Sequence, residues 1–196
     1  MKKLIIAEKP SLARNIASAL NVRVNKEGYM ENEKYIVSWA FGHLFKLRDV
    51  DGYVGEKRKW SEVKLPFFPE EFEFELKNDS GIKKQYKILK NLINSKEVDE
   101  IVNAGDADRE GQIIVDIIIN AIKTDKKIKR LWLPEQTEET IRKAINNLED
   151  NFKYRNLHNE GLARAYMDWL MGINLTRYIS LKANMLFPVG RVLIPV

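Results

Sequence analysis

The chain opens with an uninterrupted apolar run, Leu4 to Ala7, closed by Glu8 and Lys9. A short run of this kind, followed by polar turn residues, predicts a strand over Lys3–Ala7 that is buried on both faces. The spacing then changes. Leu12, Ile16, Ala19 and Leu20 recur at helical intervals behind Pro10, which suits a first helical turn because its missing N–H has no partner to lose there. A polar stretch containing Gly28 precedes a second strand, Tyr35 to Trp39. From Gly42 to Pro69 the chain is rich in loop residues, with Gly52, Gly55, Pro66 and Pro69 as breaks. Phe72, Phe74 and Leu76 alternate with Glu73 and Glu75, as in a strand with one face in solvent.

Beyond Asp79 the period is helical again, with Tyr86, Leu89, Leu92 and Ile93 on one face. Val98 to Ala104 predicts another buried strand, and a helix beginning near Arg109 carries Ile113, Ile114, Ile117 and Ile118. Ile128 to Leu133 follows as a strand. Thr137, with Glu138 and Glu139 behind it, has the chemistry of an N-cap for a helix through Leu148. Strands separated by helices predict an α/β sheet with parallel pairs and flanking helices. After Glu149 no strand pattern returns. Tyr154 to Leu186 reads as helices, with Leu162, Tyr166, Trp169 and Leu170 as the buried stripe. The expected division is an α/β domain over 1–150 and the start of an all-helical domain over 151–196. The apolar, proline-containing end PVGRVLIPV is a poor terminus for a complete domain, so truncation is expected.

Composition narrows the classes. The 196 residues suffice for one full core and a small second unit, and 44% apolar with 31% charged residues is an ordinary folded balance. Thirty-three basic against 28 acidic residues give a mild lean toward anionic partners. The absence of cysteine excludes disulfides, thiolate zinc sites and cysteine nucleophiles, and fits a reducing compartment. The first apolar run is too short for a signal peptide or a membrane span, so a cytoplasmic location is expected. The basic run Lys123 to Arg130, KTDKKIKR, reads most simply as a solvated helix end.

The densest candidate chemistry lies between Gly105 and Gln112, GDADREGQ. Asp106 and Asp108 stand two apart directly after an apolar strand, so in extended backbone both carboxylates point into one space at the sheet's carboxyl edge. Glu110 adds a third at the start of the next helix. Carboxylates this close stay ionised only if a cation compensates them, and hard oxygen donors suit magnesium completed by water and phosphate. The competing reading is an acidic turn that caps the following helix. Glu8 also follows a buried strand, and reaches the same crevice if the two strands are neighbours. Lys9, at a helix N-terminus, is placed for a phosphate; the plainer reading of this pair is a polar turn.

EKPSLA at the N-terminus, FGHL at Phe41–Leu44 and DADREG at Asp106–Gly111 together resemble a Toprim domain, the Rossmann-like α/β domain of type IA DNA topoisomerases. The resemblance continues through KWSEVKLPFFP, RLWLPEQTEETI, ARAYMDWLMGINLTR and the terminal GRV, in the family's order, and GINLTR with EQTEETI resembles the bacterial topoisomerase III branch. It implies an ATP-independent enzyme, a monomer, that cuts, passes and reseals single DNA strands through a phosphotyrosine. Asp106, Asp108 and Glu110 then correspond to the magnesium-binding triad. Glu8 corresponds to the acid beside the scissile phosphate, shared between proton handling and the metal, and Lys9 to the lysine on that phosphate. Arg164, Asp168, Arg177 and Arg191 correspond to positions that contact single-stranded DNA. His43 is balanced between a structural and a site role, and Trp169 reads as core. Gln112 replaces a second glutamate of many relatives. None of the seven tyrosines has the family's YPRT-like neighbours, so the nucleophile is expected downstream. The alternatives are another Toprim nuclease or primase, or a non-catalytic fragment that binds single-stranded DNA.

Overall fold

Leu4, Ile5, Ile6 and Ala7 are all fully buried in β1 (Lys2–Ala7), as a strand covered on both faces requires. The structure is a computed structural model and describes residues 1–54 and 59–190. The chain divides into two units, Met1–Phe45 with Leu76–Gly161, and Lys46–Glu75 with the chain from Leu162 onward. A sequence boundary at residue 150 assigns Lys46–Glu75 to the α/β domain; in the structure that segment clusters with the C-terminal helix.

In the first unit β1 sits inside a seven-stranded sheet. The other strands are β2 (Val24–Lys26), β3 (Tyr29–Glu31), β4 (Tyr35–Trp39), β7 (Val98–Ala104), β8 (Lys127–Arg130) and β9 (Glu149–Asp150), in the order β2-β3-β4-β1-β7-β8-β9. β1 pairs in parallel with β4 and β7, and β7 with β8, while the outer pairs are antiparallel. Helices α1 (Pro10–Ala19) and α5 (Glu138–Ile145) cover one face, where Leu12, Ile16, Ile141 and Ile145 pack with Ile5, Ala7, Val37 and Val102. By strand alternation Leu4 and Ile6 point the other way. They are equally buried, on the face of α3 (Ser80–Asn94) and α4 (Arg109–Ile122). Each such side chain contributes roughly 1.5–3 kcal/mol of burial free energy.

The caps follow the sequence. The side chains of Asp79, Asp108 and Thr137 accept from Ile82, Gly111 and Thr140 N–H. Two differences from the sequence pattern have local causes. The polar stretch around Gly28 is a hairpin, β2 and β3, joined by Glu27–Gly28 with Gly28 at φ +80°; β2 is wholly exposed, so no apolar alternation marks it. β8 ends at Arg130 rather than at residue 133: Leu131 N–H still donates to Asn103 O of β7 at 2.9 Å, and Leu131 and Leu133 then pack in the core under α1 and α5.

In the second unit, α2 (Val50–Tyr53) and the later part of α6 (Arg155–Ala183) bring Tyr53, Phe67, Phe72, Tyr166 and Trp169 into one aromatic cluster. Asn174 holds both backbone groups of Phe67, at 2.6 and 3.0 Å. Trp169 is half-buried in this cluster, against Tyr53, Phe67 and Phe72. β5 (Phe45–Leu47) and β6 (Phe74–Leu76) form a separate two-stranded sheet. No helix among the described residues is long and apolar enough to cross a membrane.

Candidate metal and phosphate site

β1 and β7 run side by side in register, Ala7 opposite Ala104, so Glu8 and Gly105 leave the sheet at the same edge. From β1 the chain passes through α1 toward β4 on one side; from β7 it passes through α4 to β8 on the other. Such a reversal leaves a crevice at the carboxyl edge, the usual ligand position in an open α/β sheet. The sequence condition for Glu8 to join the aspartates, adjacency of the two strands, is met.

Glu8 Oε2 accepts the Asp106 N–H at 3.2 Å. Lys9 Nζ stands 3.3 Å from Glu8 Oε1 and also donates to Asp106 Oδ2, while Gln136 donates to Asp106 Oδ1 at 3.1 Å. Burial pushes the Glu8 carboxyl up and the Asp106 charge adds to it, outweighing the hydrogen bonds from Asp106 N–H and Lys9. The hydrogen bond to Asp106 holds the Lys9 ammonium above its ordinary value against a smaller effect of burial. Lys9 is charged, and it bridges the carboxylates that follow the two strands. The N-terminus of α1, directly after Lys9, has no side-chain cap, and Pro10 in its first turn has no N–H to satisfy.

Asp108 begins α4, and its Oδ1 accepts Gly111 N–H at 2.7 Å. The capping reading is therefore realised, at the use of one carboxylate oxygen. Glu110 Oε2 lies 3.4 Å from His43 Nε2. His43 arrives because Gly42 N–H donates to Glu8 O at 2.9 Å, which draws the FGHL loop to the edge beside β1. Among the described residues no three His, Asp or Glu side chains form a ready-made metal cage. The donor set nevertheless fits a hard divalent cation. Its groups are carboxylates, and Glu8 and Asp106 stand close enough for the Asp106 charge to add to the upward push that burial gives Glu8. Magnesium is commonly held by only one or two carboxylates, with water and phosphate completing its shell.

The loop is shaped by backbone contact between its two glycines. A Cβ on Gly105 would lie 1.9 Å from Gly111 O, and one on Gly111 would lie 2.3 Å from Asp106 N. The sequence shows glycine at both positions but not that they touch.

Beneath the loop lies a buried polar network that the sequence pattern missed. Asn103 Oδ1 accepts Gly105 N–H at 3.0 Å, and its Nδ2 donates to Asp116 Oδ1 at 2.9 Å. Gln112, fully buried, accepts from Arg130 Nε at 2.7 Å and donates to Asp116 Oδ2 at 2.8 Å and to Asn151 at 3.0 Å. It faces this network and not the acidic edge. Burial pushes the Asp116 carboxyl up, but hydrogen bonds from His158, Gln112, Asn151 and Asn103 outweigh it and hold it below the ordinary value. Because the folded value is the lower one, Asp116 stabilises the fold above about pH 4, and this contribution is lost as pH falls through the folded value. Melting temperatures from pH 6 to pH 3 should fall less steeply in Asp116→Asn than in the parent; equal slopes would contradict the assignment.

In the second unit Arg164 Nε lies 3.7 Å from Asp168 Oδ2, four residues on along α6. Arg177 is 4% exposed, within 3.5 Å of Asp51 and 3.7 Å of Asp49, with its guanidinium 5.2 Å from the Trp60 ring centroid. Its Nη1 has no hydrogen-bond partner among the described residues. Arg191 lies outside the described residues.

The chain is similar to DNA topoisomerase 3 of Staphylococcus haemolyticus, 38% identical over 195 residues that cover 100% of this chain and 27% of the relative. It is 39% identical to DNA topoisomerase 3 of Bacillus cereus over 194 residues, 99% of this chain and 26% of that protein. It therefore spans about a quarter of the length of these relatives. Full-length topoisomerase I from Thermotoga maritima superposes with a TM-score of 0.58 at 25% identity, covering 90% of this chain and 26% of that one. Residues 3–136, which include β1, β7 and the whole acidic loop, match the family model of the Toprim domain, and the chain belongs to that family.

Proposed function

We propose that this chain supplies the metal and phosphate half of a type IA DNA topoisomerase site. The observation that carries the reading is the meeting of Glu8, Lys9 and Asp106 at the reversal point between β1 and β7. Asp106, Asp108 and Glu110, with Glu8, would hold a magnesium ion, which when bound supplies charge to phosphate oxygens. Lys9 and the uncapped start of α1 would bind the scissile phosphate and offset charge that develops on it. Glu8, with its raised proton affinity, would carry the proton for the leaving and returning 3′ oxygen.

The attacking tyrosine we place outside these residues. Burial and the Glu149 carboxylate push the Tyr154 phenol up to about 12, away from phenolate. Tyr166 is stacked on Phe72, and Tyr86 packs edge-on against Phe45. Arg164 and Asp168, on one helical face, would meet a single DNA strand, with Arg191 as a further phosphate contact. Arg177, buried against Asp49 and Asp51, would act there by fixing the loop around α2. The partner is single-stranded DNA, the acting form a monomer and the setting the cytoplasm, to which a cysteine-free chain is suited.

The test is a chimera in which this chain replaces the matched residues of Bacillus cereus topoisomerase 3. It should relax negatively supercoiled plasmid in magnesium without ATP, and this chain alone should not. A chimera that folds and binds single-stranded DNA but neither nicks nor relaxes plasmid would overturn the reading.

A further inference from the structure

Arg130 closes the basic run that reads from sequence as a solvated helix end, yet it is 1% exposed and lies under the acidic loop. Its Nη1 donates to the carbonyls of Asn103 at 3.1 Å, Gly105 at 2.9 Å and Leu131 at 2.8 Å, and its Nη2 to Asp106 O at 2.7 Å. Nε is anchored on Gln112 at 2.7 Å, and the guanidinium lies 5.0 Å from the Trp132 ring centroid. Burial pushes its pKa down to about 10, so it remains charged at neutral pH.

We propose that Arg130 is the positioning residue of the acidic loop: its buried guanidinium sets the direction in which Asp106 presents its carboxylate. The peptide before Asp106 is held at both ends, its carbonyl by Arg130 and its N–H by Glu8. The peptide after it is held through Asp106 O, which accepts from both Arg130 and Asp108 N–H. With both flanking peptide planes fixed, the Cα–Cβ direction of Asp106 follows. The carbonyls of Gly105, Asp106 and Leu131 lie past the ends of their strands, and a planar fork reaches them together with Asn103 O, which also accepts Leu131 N–H. A lysine ammonium is a single point of charge and cannot. Gln112 completes the device by linking Arg130 to the buried Asp116 carboxylate, so the guanidinium is balanced without a carboxylate pulling it away from the loop.

The test uses the full chain with Arg130→Lys, and Gln112→Met as the variant that keeps the guanidinium but removes its Nε anchor. Amide hydrogen exchange should be about tenfold faster from Asp106 to Gly111 in Arg130→Lys, the effect of losing one or two hydrogen bonds, and unchanged in β1 and β4. Manganese affinity measured by calorimetry should fall roughly 10- to 100-fold. If Arg130→Lys does not fold, Gln112→Met decides, with the same amides accelerated and the same strands unaffected. A folded variant whose loop exchange stays within about twofold of the parent overturns the proposal, and so does acceleration spread equally through β1 and β4. Only the manganese arm rests on the metal reading above. If the parent binds no manganese that reading fails, and the exchange arm still decides this one.

Discussion

Gly111→Ala is expected to lower stability by about 3 kcal/mol or more, because the added methyl meets backbone and not a side chain that can swing away. For a chain of this length that is a fall in melting temperature of roughly 6–12 °C. Gly105→Ala should cost at least as much, since its Cβ would stand 1.9 Å from Gly111 O. Relief requires β7 and the first turn of α4 to separate, and that first turn is where Asp108 and Glu110 are attached. The loss should therefore appear in metal binding as well as in melting. Either alanine variant melting within about 2 °C of the parent would show that the loop is not closed by glycine–glycine contact.

The second large effect is at Lys9. In the chimera, Lys9→Met should reduce strand cleavage roughly 10²- to 10³-fold, the scale of losing one preorganised charge at a phosphoryl centre. Metal binding should move the other way. Lys9 donates to Asp106 and faces Glu8, so removing it leaves two carboxylates without their ammonium and open to a cation. Manganese affinity is expected to hold or rise while cleavage collapses. A parallel fall in both would assign Lys9 to metal-site structure and not to phosphate.

Much of this arrangement was legible in the sequence, for a physical reason. β1, β4 and β7 are apolar enough to declare themselves, and the strand–turn–helix order places polar residues at the carboxyl edge without any knowledge of packing. The adjacency of β1 and β7 was a condition that the sequence posed and the register answered. The residues under the loop were not legible. Asn103, Gln112, Asp116 and Arg130 are polar, and polar residues are ordinarily exposed. These are buried because they satisfy one another. Hydrophobic periodicity cannot report a network whose members lie on β7, α4 and β8. Gln112 shows the consequence. Counted along the chain it belongs to the acidic motif, but its side chain belongs to the scaffold behind it. Arg177 shows another limit. An arginine four-fifths of the way along a helix reads as surface charge, and only the fold brings Asp49, Asp51 and Trp60 around it.

The proposed function depends on the crevice between β1 and β7 binding a divalent cation through the acidic loop. Calorimetric titration of manganese into the chain, with a short single-stranded oligonucleotide present to supply phosphate, tests it most directly. The expected result is a saturable heat that disappears in the Asp106→Asn, Asp108→Asn double variant while that variant remains folded. No metal-dependent heat in the parent, or the same heat in the double variant, would contradict the account.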